Sequence, residues 1–167
     1  VGAGLRGQVK LGASGKLVSA SAIAQAMALG ADWCNSARGF MFAVGCIQSQ
    51  RCNTNKCPVG VTTQNPRLQR ALVVDDKSER VHRFHQHTVN ALAEMVAAMG
   101  LDHCNGLRPH HVAKRVSASL VQSFSEIYER FEPDSLLNGS APERAQAVWD
   151  RATPEHFLPP DEDGFRG

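Results

Sequence analysis

The sequence predicts an α/β chain built from parallel strand–helix units. Three observations carry this. In "QVKLGASG" the apolar positions Val9, Leu11 and Ala13 alternate and run into a Ser14-Gly15 turn, which is the pattern of a short buried strand over 8–15. In "SASAIAQAMALG" Ile23, Ala26 and Met27 share one helical face, with Ser19 or Ser21 placed to cap the start and Gly30 to stop it. "ADWCNS" then follows at once and reads as a second strand over 31–36. Two parallel strands need a crossover, and the helix between them supplies one.

The remaining elements follow in order. "ARGFMFAVGC" predicts a short helix or turn leading into a cluster of cysteines. A long helix is expected from Asp76 to Met99. Val81, Phe84, Thr88, Leu92, Met95, Val96 and Met99 form its apolar stripe, Asp76 and Glu79 resemble a capping pair, and Gly100 ends it. "LRPHHVAKRV" reads as a loop and "SLVQSFSEIYERF" as a further amphipathic helix. "SAPERAQAVW" reads as a last short helix with Ser140 and Glu143 as capping box. The segment 156–167 is polar and Pro-rich and is expected to be a flexible tail. Two strands do not make a sheet domain, and a parallel sheet must be covered on both faces, so either the chain is mainly helical with a small sheet or its partner strands lie on sequence before Val1, and the second is expected. "VGAGLRGQ" itself reads as a chain entered in its middle.

Composition narrows the function. The chain has 167 residues, 43% hydrophobic and 20% charged, with net charge +2 and seven His counted neutral. These values fit a soluble globular protein and give no basic patch that would argue for nucleic acid. No run of about 18 apolar residues and no secretory leader is legible, so a cytoplasmic location is expected. Five cysteines form an odd set with three of them clustered, which fits thiols kept reduced for metal or redox chemistry better than a disulfide framework.

The cluster lies in "VGCIQSQRCNTNKCPVG", where Cys46, Cys52 and Cys57 are separated by five and four residues. On one helix, six residues turn by about 600°, so Cys46 and Cys52 would face different ways. The chain must instead curl round a common centre, and "NTNK" has the turn chemistry to do so, because Asn accepts left-handed dihedrals. Pro58 directly after Cys57 is also found after iron–sulfur ligand cysteines. Three thiolates cannot close a tetrahedral structural zinc site. They can hold a three-iron cluster, a four-iron cluster with one foreign ligand, or zinc with an added His. The two predicted strands end in Ser14-Gly15-Lys16 and in Asn35-Ser36-Ala37-Arg38-Gly39, small residues with hydroxyls and a cation that suit a phosphate. His82, His85 and His87 are read as exposed or flanking polar residues, Met95 and Met99 as core, and Cys34 and Cys104 as packed or exposed free thiols.

"GADWCNSARGFMFAVGCIQSQRCNTNKCPVGVTTQNP" resembles the synthase domain of glutamate synthase and the glutamate synthase-related FMN proteins. The resemblance runs from Leu5 to about Val116 and includes "FHQHTVNALAEMVAAMGL". It implies the C-terminal part of a (β/α)8 TIM barrel over 1–116, contributing the last two β/α units and an iron–sulfur loop at 44–60. A mainly helical extension over 117–155 would follow. It further implies Cys46, Cys52 and Cys57 as ligands of a 3Fe-4S cluster, with hydrogen bonds to the sulfurs expected from the Asn53–Asn55 backbone. FMN is implied at the strand ends, with Ser14, Gly15, Lys16, Ser36, Ala37 and Arg38 as contacts. Larger family members carry Asp-Gly-Gly and Gly-Thr-Gly at the two turns, where this chain has Ala13-Ser14-Gly15 and Ala37-Arg38-Gly39. The implied reaction makes L-glutamate from 2-oxoglutarate and glutamine-derived ammonia, by hydride transfer from reduced FMN to 2-iminoglutarate. Ferredoxin or an NAD(P)H-dependent partner would be the electron donor. A flavin and iron–sulfur oxidoreductase with another substrate, or a non-catalytic electron-transfer or metal-binding module, are the alternatives. Catalytic residues are expected upstream of this chain.

Overall fold

The first strand–helix–strand unit forms as its sequence pattern predicts, in a computed structural model that describes residues 1–154. Strand β1 is Gly12–Ser14, helix α1 is Ala20–Ala28 and strand β2 is Trp33–Asn35. The strands pair in parallel with Gly12 opposite Trp33, Ala13 opposite Cys34 and Ser14 opposite Asn35. Ser19 caps α1, its hydroxyl accepting the Ala22 N–H at 3.3 Å. Gly30, at φ 111°, takes the left-handed turn that a side chain would resist. Asp32 then ties the start of β2 to β1, one carboxylate oxygen accepting the Leu11 N–H at 2.7 Å. The observed β1 is shorter than the expected 8–15 run and is not buried. Val9 and Leu11 lie outside it and are exposed. One neighbour, β2, satisfies only one edge of so short a strand.

Helix α2, Ala37–Val44, follows β2 directly, and Gly45 closes it at φ 112°. A four-residue helix α3, Pro66–Gln69, starts with Asn65 as cap and Pro66 in its first turn, where the missing N–H costs nothing. The long helix α4 spans Val74–Ala98. Its apolar stripe is borne out. Val96 is buried, and Val81, Phe84, Thr88, Leu92, Met95 and Met99 are all partly covered. Helices α1 and α2 both pack on α4. Small residues permit the approach: Ala24 and Ala28 of α1 are almost fully buried beside Met27. Covering Met27 contributes about 2 kcal/mol. The expected Asp76–Glu79 capping pair does not form. Val73 is the N-cap without a side-chain bond, Asp76 pairs with Lys77 at 3.0 Å, and Glu79 pairs with Arg83 at 2.6 Å.

Beyond α4, two 3₁₀ turns (Cys104–Gly106 and Pro109–His111) precede an antiparallel hairpin of β3, Ala113–Arg115, and β4, Val121–Ser123. The expected helix over 119–131 is therefore reduced to α5, Phe124–Ile127. Its first residues, Leu120 to Ser123, are drawn into the hairpin because β3 offers partners for their backbone. Leu107, Val112 and Phe124 form the core under this hairpin.

The chain divides into two compact units, one of Leu11–Phe124 and one of 1–10 with the residues from Ser125 onward. In the second unit Leu136 N–H bonds Gly2 O at 2.9 Å, and helix α6, Glu143–Asp150, sends Gln146 to Leu136 O at 3.2 Å. Pro142 is the N-cap of α6, so the Ser140–Glu143 capping box is not made. Ser140 N–H instead bonds the Asn138 side chain at 3.0 Å. The expected tail at 156–167 lies outside the described residues. Among the described residues no helix is long and apolar enough to cross a membrane. The mixture of helices and strands is compatible with an α/β class.

Candidate functional site: two strand ends and a cysteine loop

The parallel register places the ends of β1 and β2 side by side, Ser14 opposite Asn35. The turns beginning Ser14-Gly15-Lys16 and Ser36-Ala37-Arg38 therefore leave the sheet from the same edge. They are unequal. Ser14, Gly15 and Lys16 are exposed, Gly15 has open space where a Cβ would stand, and Lys16 is itself left-handed at φ 57°. Ser36 is the N-cap of α2, yet its hydroxyl caps nothing. Its Oγ is buried and without a hydrogen-bond partner among the described residues. The first N–H groups of α2 likewise have no partner within the helix. Gly39 sits beneath Phe84, and a Cβ there would lie 2.7 Å from Phe84 Cζ and 2.7 Å from Ser36 Oγ. Phe84 is held edge-on against Phe40, with centroids 5.2 Å apart at 82°. The packing of α2 on α4 thus fixes a buried hydroxyl and a row of N–H groups at the end of β2. Ala37 and Arg38 in that row are exposed.

The cysteine loop is shaped by backbone that curls rather than spirals. Gln48, Gln50 and Asn55 have φ of 56°, 56° and 60°, and Gly60 has φ 83°. Asn55 holds the curl closed. Its side-chain oxygen accepts Gln64 N–H at 2.6 Å, and its carbonyl accepts the Thr63 hydroxyl at 2.6 Å. Cys57 lies inside this closure and is 5% exposed. Its thiol is lowered from 9.0 to about 7. The chief cause is the Thr62 backbone N–H, opposed by burial and helped by the N–H groups of Val59 and Val61. The Thr62 hydroxyl adds to the effect as a polar neighbour short of a full hydrogen bond, since its Oγ1 is buried and unpaired among the described residues. The neighbours that perturb Cys57 follow it in the chain, at Val59, Val61 and Thr62. Pro58 has no N–H, and the left-handed turn at Gly60 reverses the chain between Val59 and Val61. "CPVG" carried that signal: a proline removing one donor, then a glycine able to reverse the chain.

Cys46 is half-buried, with its sulfur accepting Gln48 N–H at 3.4 Å, and Cys52 is exposed. Among the described residues no three Cys, His, Asp or Glu side chains converge on a point that could hold a metal ion. The structure thus puts the three thiols on one loop and lowers the thiol of Cys57 to about 7, without drawing all three together. Cys52, Asn53, Asn55 and Thr62 line an open cleft of about 650 Å³ beside them. His82, His85 and His87 are exposed, and the His85 ring stacks on Phe40 at 6.2 Å.

A family model described as "Conserved region in glutamate synthase" matches residues 1–102. The chain is 41% identical over 128 residues to the glutamate synthase large subunit-like protein YerD of Bacillus subtilis, covering 77% of this chain and 24% of that protein. It is 33% identical over 137 residues to the ferredoxin-dependent glutamate synthase of Pyropia yezoensis, covering 80% of this chain and 8% of that protein. It is 31% identical over 105 residues to the archaeal glutamate synthase [NADPH] of Methanocaldococcus jannaschii, covering 63% of this chain and 21% of that protein. No solved structure matches significantly. The aligned region spans about a quarter or less of the length of these relatives. With the family match covering most of the chain and including both strand ends and the cysteine loop, this protein belongs to the glutamate synthase family.

Proposed function

We propose that this chain is the C-terminal part of the FMN barrel of a glutamate synthase-type oxidoreductase, with Cys46, Cys52 and Cys57 holding a 3Fe-4S cluster. The observation that carries the reading is Cys57, buried yet with its thiol lowered to about 7, chiefly by the neighbouring Thr62 amide. Such amides are what an iron–sulfur ligand needs, because they lower the charge on the sulfur and set the cluster potential. Cys46 and Cys52 are on the same curled loop and would be the other two ligands. Ser36 supports FMN in the same way. A buried hydroxyl without a partner, beside the free N–H groups opening α2, suits a phosphate oxygen. Ser14, Gly15 and Lys16 on the adjacent strand end, with Ala37 and Arg38, complete the proposed contacts, and Arg38 would add a charge-assisted bond.

Held there, FMN would provide hydride chemistry toward 2-iminoglutarate and the cluster single-electron chemistry toward the flavin. This chain's own part is to hold both groups: Ser36 and the α2 amides orient the phosphate, and the amides of Val59, Val61 and Thr62 fix the charge on one cluster ligand. The chemical residues, 2-oxoglutarate, glutamine-derived ammonia and the electron donor engage sequence outside this chain. The isolated 167 residues therefore neither retain FMN tightly nor turn over. The test is anaerobic purification of the complete protein with iron, sulfide and flavin analysis and low-temperature EPR. An oxidised three-iron signal lost in Cys52→Ser supports the proposal. Stoichiometric zinc without iron overturns it.

A further inference from the structure

We propose that Cys34 and Cys104, which the cluster does not use, are a dithiol that closes to a disulfide when a peroxide reaches it, with His103 as the base. Cys34 is the middle residue of β2, and Cys104 opens the 3₁₀ turn that packs against α1 and α4. Both are half-buried, and both line one apolar cleft of about 750 Å³ together with His103, Met27 and Phe84. The Cys34 thiol is raised first by burial and then by the charge of Cys104.

The neighbourhood of Cys104 is asymmetric in a way that assigns roles. His103 Nδ1 accepts the Asn105 N–H at 3.1 Å, so that nitrogen carries the lone pair and the ring proton is on Nε2. Cys104 Sγ lies 3.9 Å from the same Nδ1 and is therefore the donor. As Cys104 sulfur attacks a peroxide oxygen, Nδ1 takes the thiol proton and gives up its hydrogen bond from the Asn105 N–H. The O–O bond breaks, and the leaving hydroxide recovers that proton as water. Cys34 sulfur then attacks the resulting sulfenic acid, the S–O bond breaks, and the Cys34 proton leaves with hydroxide as a second water. Two thiols lose two electrons and one peroxide gains them. Cys34, held neutral by burial, is the resolving partner.

The test treats the full chain with a few equivalents of hydrogen peroxide, followed by alkylation, non-reducing isolation of the monomer and tryptic mapping. The expected product joins the peptides 17–38 and 84–114 and is reversed by a thiol reductant. Cys104→Ser abolishes the cross-link, and His103→Gln slows its appearance roughly 100-fold, as for loss of a positioned base. A triple Cys46, Cys52, Cys57→Ser chain retains it. If that chain does not fold, the same peptide pair quantified in the unaltered chain decides. The proposal is overturned if Cys34 and Cys104 stay alkylatable under peroxide, if they pair with the loop cysteines as often as with each other, or if His103→Gln leaves the rate unchanged.

Discussion

The turn at Ser36 and the loop at Cys57 treat negative charge in opposite ways. At Ser36 the chain presents a buried hydroxyl and helix-opening amides with no acceptor of their own. At Cys57 the neighbouring amides of Thr62, Val59 and Val61 act on the sulfur of the same loop and lower its thiol to about 7. The first arrangement waits for an anion from outside, whereas the second makes one. Both are held shut at a glycine, Gly39 against the side chains of Phe84 and Ser36 and Gly60 against the backbone of α3. Two different kinds of proposed ligand site thus follow from the same N–H groups.

The largest way to break this comparison is Gly60→Ala. The residue is left-handed at φ 83°, and its Cβ would stand 2.5 Å from the Leu68 carbonyl oxygen, which cannot swing aside. A loss of about 3 kcal/mol is expected in denaturant unfolding. The thiol of Cys57 should move back toward 9.0 in pH-dependent alkylation as its amides drift away. Gly39→Ala meets only side chains, Phe84 and Ser36, which can shift, so about 2 kcal/mol is expected. In that variant the Cys57 titration should not change.

A pH series sharpens the contrast without touching a glycine. The folded thiol of Cys57 titrates at about 7 and the unfolded one near 9.0. Below 7 both states bind the proton, and between the two values only the unfolded state does. Stability therefore rises with pH from about 7 to 9 and is lost as pH falls through 7. Denaturant midpoints across that window should climb in the unaltered chain and climb less in Cys57→Ser. The smallest expected effect is Ser36→Ala. Its hydroxyl makes no bond, so stability should stay within about 1 kcal/mol of the parent or improve. In the complete protein, equilibrium dialysis should show weaker FMN binding. A clear loss of stability in the isolated chain would instead mean that the hydroxyl is already paired.

The sequence made α1 and α4 legible because each repeats an apolar face at helical spacing and ends on a glycine. β2 was legible in position, and β1 in its final residues only, since alternation through Val9 and Leu11 does not say whether a neighbouring strand is present. The β3–β4 hairpin was hidden because "SLVQSFSEIYERF" carries helical periodicity, and long-range backbone pairing outweighed it at Leu120 to Ser123. In the candidate site, spacing identified the three cysteines and the strand-end turns. It could not reveal that Ser36 would be buried without a partner, which depends on α4 lying over α2. Nor could it say that the donors to Cys57 come after it in the chain, which depends on the reversal at Gly60.

The pairing of Gly12 with Trp33 has an optical consequence. A Cβ at Gly12 would stand 2.5 Å from the Trp33 ring, so the indole lies directly against the neighbouring strand. The chain has two tryptophans, and the other, Trp149, belongs to α6 in the second unit. Each unit therefore carries its own fluorophore. Trp149→Phe would leave a chain whose emission reports the joining of β1 to β2, and Trp33→Phe one whose emission reports only the residues around α6. Melting followed by fluorescence would then separate the two halves of the protein without any added label.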